Sequence, residues 1–176
     1  TLEAASIYLD LMEVEAAREQ IAMLLESQPT QTVREEALAL RARSNEVEQN
    51  NLLRLAGEQA KAGELKTADM EIAKLLALGP ATAIEEKALE LRASLATTAG
   101  ENIQKALDNF RAGEADEKTV QDAIAMARSL QAGPPDSEAA ANFAQIIESS
   151  ERALALEAAA RKLEHCLERF EKKGID

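Results

Sequence analysis

The chain has 176 residues, of which 46% are hydrophobic and only 2% aromatic, and its formal net charge is −12. Ala, Leu and Glu, which enter helices at little cost, are frequent, and the β-branched residues that favour strands are sparse, so the composition indicates an all-α protein. An acidic surface repels phosphate backbones and anionic lipid headgroups, which disfavours nucleic acid as a partner. The single cysteine excludes an internal disulfide, and no apolar run approaches the ~20 residues that span a bilayer.

Hydrophobic periodicity predicts that short helices alternate with long helical stretches along the chain. After a partial helix at 1–11, short helices are expected near 14–28, 65–78 and 117–131, and long stretches near 33–62, 83–112 and 137–173. The polar segment 44–51 and Gly100 leave open whether each of the first two long stretches is one helix or two. No helix breaker interrupts the third from Glu138 to Lys173, which is therefore predicted to be one long helix.

The sequence repeats itself at a fixed offset. The segment from Glu13 to Pro29 aligns without gaps with the segment from Glu64 to Pro80, 51 positions further on. The shared residues fall on one stripe of a 3.6-residue helix, which indicates that the buried face of one helix is present twice. The stripe consists of Ala17, Ile21, Leu24 and Leu25 in the first copy and of Ala68, Ile72, Leu75 and Leu76 in the second.

A weaker third copy follows, in which Gly113-Glu114 repeats Gly63-Glu64. We therefore expect a single helical-repeat domain over 1–176, with copies near 1–48, 49–98 and 99–136 and a long C-terminal helix at 137–176. The helical pattern is already running at Thr1, so we expect the chain to be a fragment of a larger protein.

Both strong copies carry a T-x-x-E pattern just after a proline, from Thr32 to Glu35 and from Thr82 to Glu85. This is the pattern of a capping box, in which the threonine oxygen and the glutamate each accept an amide of the first helical turn. We therefore expect Thr32 and Thr82 to cap the first two long helices, and Asp136 or Ser137 to cap the last.

These spacings resemble the tetratricopeptide repeat, a helix–turn–helix unit of about 34 residues, most clearly over 1–29 and 49–80. The family's aromatic, small, large and proline positions fall on Tyr8, Ala17, Ile21 and Pro29 in the first copy. The second copy matches the family at Leu52, Leu55, Ala56, Gly63, Ala68, Ile72 and Pro80. The chain departs from the family at Met12, where glycine is usual, at Gln59, where an aromatic is usual, and in its 51-residue offset, which leaves room for an extra helix.

The resemblance implies an α-solenoid: a right-handed stack of helical hairpins, here ending in a long helix, whose first helices line a groove for a peptide or a partner domain. Carried onto this sequence, the positions expected to line the groove are Ser6, Leu9, Asp10, Asn50, Leu53, Gly57, Ala60 and Lys61.

The residues that could carry chemistry do not form a recognisable site. His165 and Cys166 are adjacent, and adjacent residues of a helix point about 100° apart, so we do not expect them to bind one metal ion. The acidic residues lie among lysines and arginines, which is typical of a solvated helix surface, and no phosphate-binding or nucleophile motif occurs. We expect no enzymatic activity, no metal and no cofactor.

The region around Cys166 and the few aromatic residues are expected to pack against other helices. Cys166 is expected to be half-buried on the last helix near Leu163, Leu167 and Phe170. The aromatic residues Tyr8, Phe110, Phe143 and Phe170 are expected in the core.

Two functions fit these expectations. The first is a scaffold for protein–protein interaction, which binds a peptide or partner protein on a helical-repeat surface. The alternative is a structural or oligomerisation element of a larger assembly, such as one in a bacterial envelope, that self-associates through its long helices. The alanine-rich composition favours a bacterial source. We expect a soluble protein, with cytoplasm and periplasm both left open.

Overall fold

A computed structural model describes residues 1–130, 132–133 and 137–173, with side chains as far as residue 170. This part of the chain forms seven α-helices and no strand. The helices are α1 (Leu2–Asp10), α2 (Val14–Glu26), α3 (Gln31–Lys61), α4 (Leu65–Ala77), α5 (Thr82–Ala112), α6 (Glu117–Arg128) and α7 (Glu138–Lys173). The all-α prediction is confirmed, and every predicted helix lies within a few residues of its expected place.

Each long stretch is one continuous helix, of 31 residues in α3, 31 in α5 and 36 in α7. The single helix expected at the C-terminus is confirmed, and the question left open for the other two is answered. Neither the polar segment 44–51 nor Gly100 interrupts its helix. Hydroxyl groups in these regions donate to carbonyls of the preceding turn, as Ser44 does to Arg41 at 2.7 Å and Thr98 to Ser94 at 3.0 Å.

The capping boxes predicted at Thr32 and Thr82 are wrong. Helix α3 already begins at Gln31, and its N-cap Thr30 makes no side-chain cap bond. Glu35 does not reach back to the helix start, because it accepts a 2.7 Å hydrogen bond from Nε2 of Gln31 instead. Thr82 is itself the first residue of α5, and the amides of residues 84 and 85 bond to the carbonyl of Ala81.

Side chains do cap the last two helices. Oγ of Ser137 accepts the amide of Ala140 at 3.2 Å, which confirms Ser137 as the cap of α7, whereas Asp136 lies outside the described residues. Oδ1 of Asp116 accepts the amide of Thr119 at 2.8 Å and caps α6. These hydrogen bonds from Thr119 lower the pKa of the Asp116 carboxyl below its ordinary value near 3.8, because they favour the charged form.

The turns before α2, α4 and α6 share one backbone conformation. Their residues Met12, Gly63 and Gly113 have φ values of 63°, 79° and 80°. This is the left-handed region, in which glycine is unstrained and a side chain is not. The recurrence of Gly63-Glu64 as Gly113-Glu114 therefore has a physical cause: each glycine occupies a left-handed turn between two helices.

The chain divides into two compact units. The first comprises 1–62 and 70–88, and the second comprises 63–69 and the described residues from 89 onward, so that α4 and α5 each contribute to both. In the first unit, α1, α2 and the beginning of α3 pack on one another. Their common core consists of Ala5, Ile21 and Ala37, with Leu2, Leu25 and Leu40 packed at its margin.

In the second unit, α6 packs against α7 through an apolar seam. The buried residues of this seam include Val120, Ile124, Ala127, Phe143, Ile147 and Leu154. Ion pairs border it, with Arg128 and Glu151 2.5 Å apart, and Nε of Arg111 on α5 donates to Glu157 on α7 at 2.8 Å.

The C-terminal third of α7 is more open than predicted. Phe110 and Phe143 are buried as expected and Tyr8 is half-buried, but Phe170 is 56% exposed, so its predicted place in the core is wrong. Cys166 is exposed rather than half-buried, and Leu163 and Leu167 beside it are exposed as well. The reason is the lack of cover: after Ala158, no side chain of α7 is buried as far as residue 170. Among the described helices, none has both the length and the apolar character needed to cross a membrane.

Candidate partner-binding surface

The three candidate positions on α1 take part in contacts inside the first unit. Leu9 is only 2% exposed and belongs to the core, so a partner cannot reach its side chain. The carboxylate of Asp10 accepts a 2.6 Å hydrogen bond from Arg43 on α3, whose guanidinium also lies 3.5 Å from the hydroxyl of Ser6. The structure thus brings Ser6 and Asp10 together with Arg43, as a half-exposed link between α1 and α3.

The five candidate positions on α3 form one accessible surface. At 100° per residue, Asn50, Leu53, Gly57, Ala60 and Lys61 cover about 100° of the helix circumference. All five are half-buried or exposed, and we call this set the α3 face. Nδ2 of Asn50 donates to the carbonyl of Glu46 at 2.9 Å. The side-chain ammonium group of Lys61 makes no hydrogen bond or ion pair with the part of the chain that the structure describes.

Gly57 lies at the middle of the α3 face, and nothing in its surroundings requires a glycine. A methyl group built on its α-carbon would meet no atom within 4 Å outside its own helical turn, and its backbone is helical. Glycine inside a helix costs roughly 0.5–1 kcal/mol relative to alanine. The α3 face therefore has a bare centre, where a group from outside can approach the helix backbone.

A second accessible feature of the first unit lies between α2 and α3. It is a pocket of about 540 Å³, which we call the α2–α3 pocket. It is lined by Arg18, Ile21, Ala22, Leu25, Glu26, Arg41 and Asn45. Sequence reasoning missed it, although one signal was present: position 18 carries arginine while its counterpart 51 positions later, Asp69, is acidic.

The two arginines of this pocket differ in their surroundings. The guanidinium of Arg18 donates to Glu48, to Asn45 at 2.9 Å and to Glu15 at 3.1 Å. Burial opposes its charge, but the hydrogen bond to Glu48 and the charges of Glu48 and Glu15 outweigh this, so the pKa of Arg18 is raised. The guanidinium of Arg41 has no hydrogen-bond or ion-pair partner among the described residues.

One buried ion pair lies in the second unit. Nε of Arg92 donates to Oδ1 of Asp69 at 2.7 Å, with side chains only 6% and 10% exposed. Nη2 of Arg92 is buried without a protein partner within the described ranges. No group of three or more His, Cys, Asp or Glu side chains is placed to hold a metal ion within those same ranges.

Comparison with protein-family models, with curated proteins and with solved structures finds no match for this chain.

Proposed function

We propose that this chain is a non-enzymatic scaffold that binds a peptide or a partner protein on the surface of a helical repeat. The observation that carries the proposal is the bare centre of the α3 face at Gly57. We further propose a right-handed, tetratricopeptide-like stack of helical hairpins as the finer architecture, because the repeated residues form helix–turn–helix elements with equivalent left-handed turns.

The α3 face offers a partner both apolar and polar contacts. Leu53 and Ala60 lie on either side of Gly57 and supply partly exposed apolar surface. Asn50 retains its side-chain oxygen as an acceptor because its amide nitrogen is already used, and Lys61 supplies a positive charge. The 11 residues between them correspond to about 16 Å along a helix, which suits a short partner segment lying along α3.

The test is to fill the bare centre. The chain is used as bait, a captured protein is identified by mass spectrometry, and its affinity is then measured by calorimetry for two matched variants. Gly57→Leu places a large side chain at the centre of the face, and Ala42→Leu places the same side chain at an exposed position of α3 that is 15 residues away. We expect Gly57→Leu to weaken binding at least tenfold and Ala42→Leu to change it less than twofold.

The polar edge of the same face is tested separately. Replacing both Asn50 and Lys61 with alanine should weaken binding of the partner, whereas replacing the exposed residues Glu86 and Lys87 with alanine should not. Exposed positions usually change stability by no more than ~0.5 kcal/mol, so thermal melts of these two double variants should match the parent. A partner whose affinity survives both the Gly57 and the Asn50/Lys61 changes must bind elsewhere, and the α3 face would then be the wrong site.

The alternative function, as an oligomerisation element, is favoured by one specific observation on α7. Leu156, Leu163, Leu167 and Phe170 are all more than half exposed and are spaced by seven, four and three residues. This spacing places them on one stripe of the helix, as at the apolar seam of a coiled coil. Sedimentation equilibrium decides the matter: a monomer at all concentrations removes this alternative, and a dimer lost in Leu163→Glu supports it.

A further inference from the structure

The two sequence copies share the apolar residues of the α2–α3 pocket but differ in charge at position 18 beside them. Ile21, Ala22 and Leu25 of the α2–α3 pocket recur unchanged 51 positions later as Ile72, Ala73 and Leu76. Arg41 likewise recurs as arginine, at position 92. Of the residues that line the pocket, only Arg18 is replaced by a residue of opposite charge, Asp69, whereas Glu26 and Asn45 are both replaced by alanine.

The second copy shows what this arginine accepts. Arg92 donates to Asp69 at 2.7 Å, and both side chains are at least nine-tenths buried. A charged hydrogen bond of this kind is about twice as strong as a neutral one, and guanidinium and carboxylate groups match each other in shape. In the second copy, therefore, the chain supplies its own carboxylate to the arginine.

The first copy lacks that internal carboxylate. Arg18 stands in its place and turns toward Glu48, Asn45 and Glu15. The guanidinium of Arg41 is left with its donors unused by any described residue, next to an open pocket of about 540 Å³. Nδ2 of Asn45, one helical turn away on the same side of α3, is a second unused donor.

The pocket also has an apolar floor and one opposing charge. Ile21, Ala22 and Leu25 line it beside the two donors. Glu26 lies at its margin, is exposed and forms no ion pair with Arg41. Arg41 and Arg18 therefore attract a ligand carboxylate, and Glu26 repels it. Neutralising Arg41 should weaken ligand binding, and neutralising Glu26 should strengthen it.

We infer that the α2–α3 pocket binds an acidic side chain of a partner polypeptide, which Arg41 and Asn45 hold by hydrogen bonds while a neighbouring apolar side chain of the partner covers Ala22 and Leu25. An acidic side chain, rather than a chain terminus, is the occupant because an aspartate side chain fills the corresponding position of the second copy. This site lies on a different side of α3 from Gly57 and does not depend on the α3 face.

The test is an NMR titration of the full ¹⁵N-labelled chain with blocked peptides. The probe is acetyl-Ala-Leu-Asp-Ala-amide, and its control is the isosteric peptide with Asn in place of Asp. We expect saturable shifts of the Arg41 Nε–H and Asn45 side-chain amide signals, with at least fivefold weaker binding of the Asn peptide, because hydrogen bonds to charged groups are the stronger ones. Equal binding of the two peptides would overturn the inference.

Three variants locate the interaction. Arg41→Gln should lower the affinity for the Asp peptide at least fivefold, whereas Arg34→Gln, at another exposed arginine of α3, should leave that affinity unchanged. Glu26→Gln should strengthen it about twofold by removing the opposing charge. Binding that is indifferent to Arg41→Gln would place the peptide elsewhere and refute the site.

Two further arms distinguish the source of the carboxylate. Acetyl-Ala-Leu-Ala with a free C-terminus should bind more weakly than the Asp peptide, and the reverse order would overturn the assignment to a side chain. Arg18→Asp gives the first copy the internal carboxylate that the second copy has, so it should abolish peptide binding in a chain whose thermal melt remains cooperative. Undiminished binding by that folded variant would contradict the comparison of the two copies.

Discussion

The turn before α2 and the turn before α4 hold equivalent places in the two copies, and each contains a residue in the left-handed region. In the second copy this residue is Gly63, whereas in the first it is Met12, at nearly the same φ. The charged contacts of the two copies differ in the same sense. Arg18 and Glu48 are partly exposed and Glu15 is exposed, whereas Asp69 and Arg92 are buried. The two copies thus share a turn conformation but differ in how strongly their charged contacts should affect the free energy of unfolding.

The largest expected difference between the copies lies in these charged contacts. Asp69→Ala leaves the guanidinium of Arg92 buried without its counter-charge, and breaking a buried pair in this way costs roughly 3–5 kcal/mol. Arg18→Ala breaks a half-exposed contact, for which about 1 kcal/mol or less is expected. Urea denaturation measures both free energies of unfolding, and equal losses would mean that burial does not distinguish the two copies.

The next largest effect concerns the small residue on the shared stripe. Ala68 is fully buried, so Ala68→Leu forces a larger side chain into filled space and should cost roughly 1–3 kcal/mol. Its counterpart Ala17 is equally buried, and Ala17→Leu should cost a similar amount. Ala73→Leu, at an exposed position of α4, is the control. If Ala68→Leu melts like the parent, the alignment of the second copy with the repeat fails.

The turns themselves should respond in opposite directions. Gly63→Ala puts a side chain where left-handed backbone costs roughly 1–2 kcal/mol, although the added methyl group meets no neighbour. Met12→Gly removes that cost from the first copy and should stabilise the chain by about 1 kcal/mol. Chemical denaturation of the two single variants is the measurement. The same sign for both would show that the turns are not equivalent.

The smallest effect concerns the start of α6, where a carboxylate cap replaces the uncapped starts of α2 and α3. The folded-state pKa of Asp116 is depressed, so its contribution to stability is present above the unfolded pKa near 3.8 and is lost as the pH falls through the lower folded value. Asp116→Ala should therefore be less stable than the parent at neutral pH, and the gap should close in strong acid. A gap that persists there would exclude the carboxylate as its origin.

Local signals predicted the helices well because each depends on residues close in the chain. The apolar stripes predicted α2 and α4, and the structure has helices at both places. The recurring glycines marked turns, and Gly63 and Gly113 do have left-handed backbone. The capping boxes failed for a local reason too. Helix α3 starts before Thr32, and the side chain of Glu35 had a nearer partner in Gln31.

The candidate surface was predictable only in part. Helical spacing alone grouped the α3 face, and its five residues do share one accessible side of α3. Spacing could not show that Leu9 is covered, or that Asp10 is engaged by Arg43 from 33 residues away. The α2–α3 pocket was missed because its residues come from two helices whose pairing no local pattern reveals.

The sequence by itself determined the helical character, the order of the helical stretches and the recurrence of one unit, because helix propensity and 3.6-residue periodicity are properties of neighbouring residues. The tertiary structure alone decided which polar groups found partners, with Arg92 buried against Asp69 and the guanidinium of Arg41 beside an open pocket, unpaired within the part of the chain that the structure describes. It also left Cys166 and Phe170 exposed on α7. Burial and charge pairing depend on what lies across from a side chain in space, and that neighbour is set by the packing of separate helices.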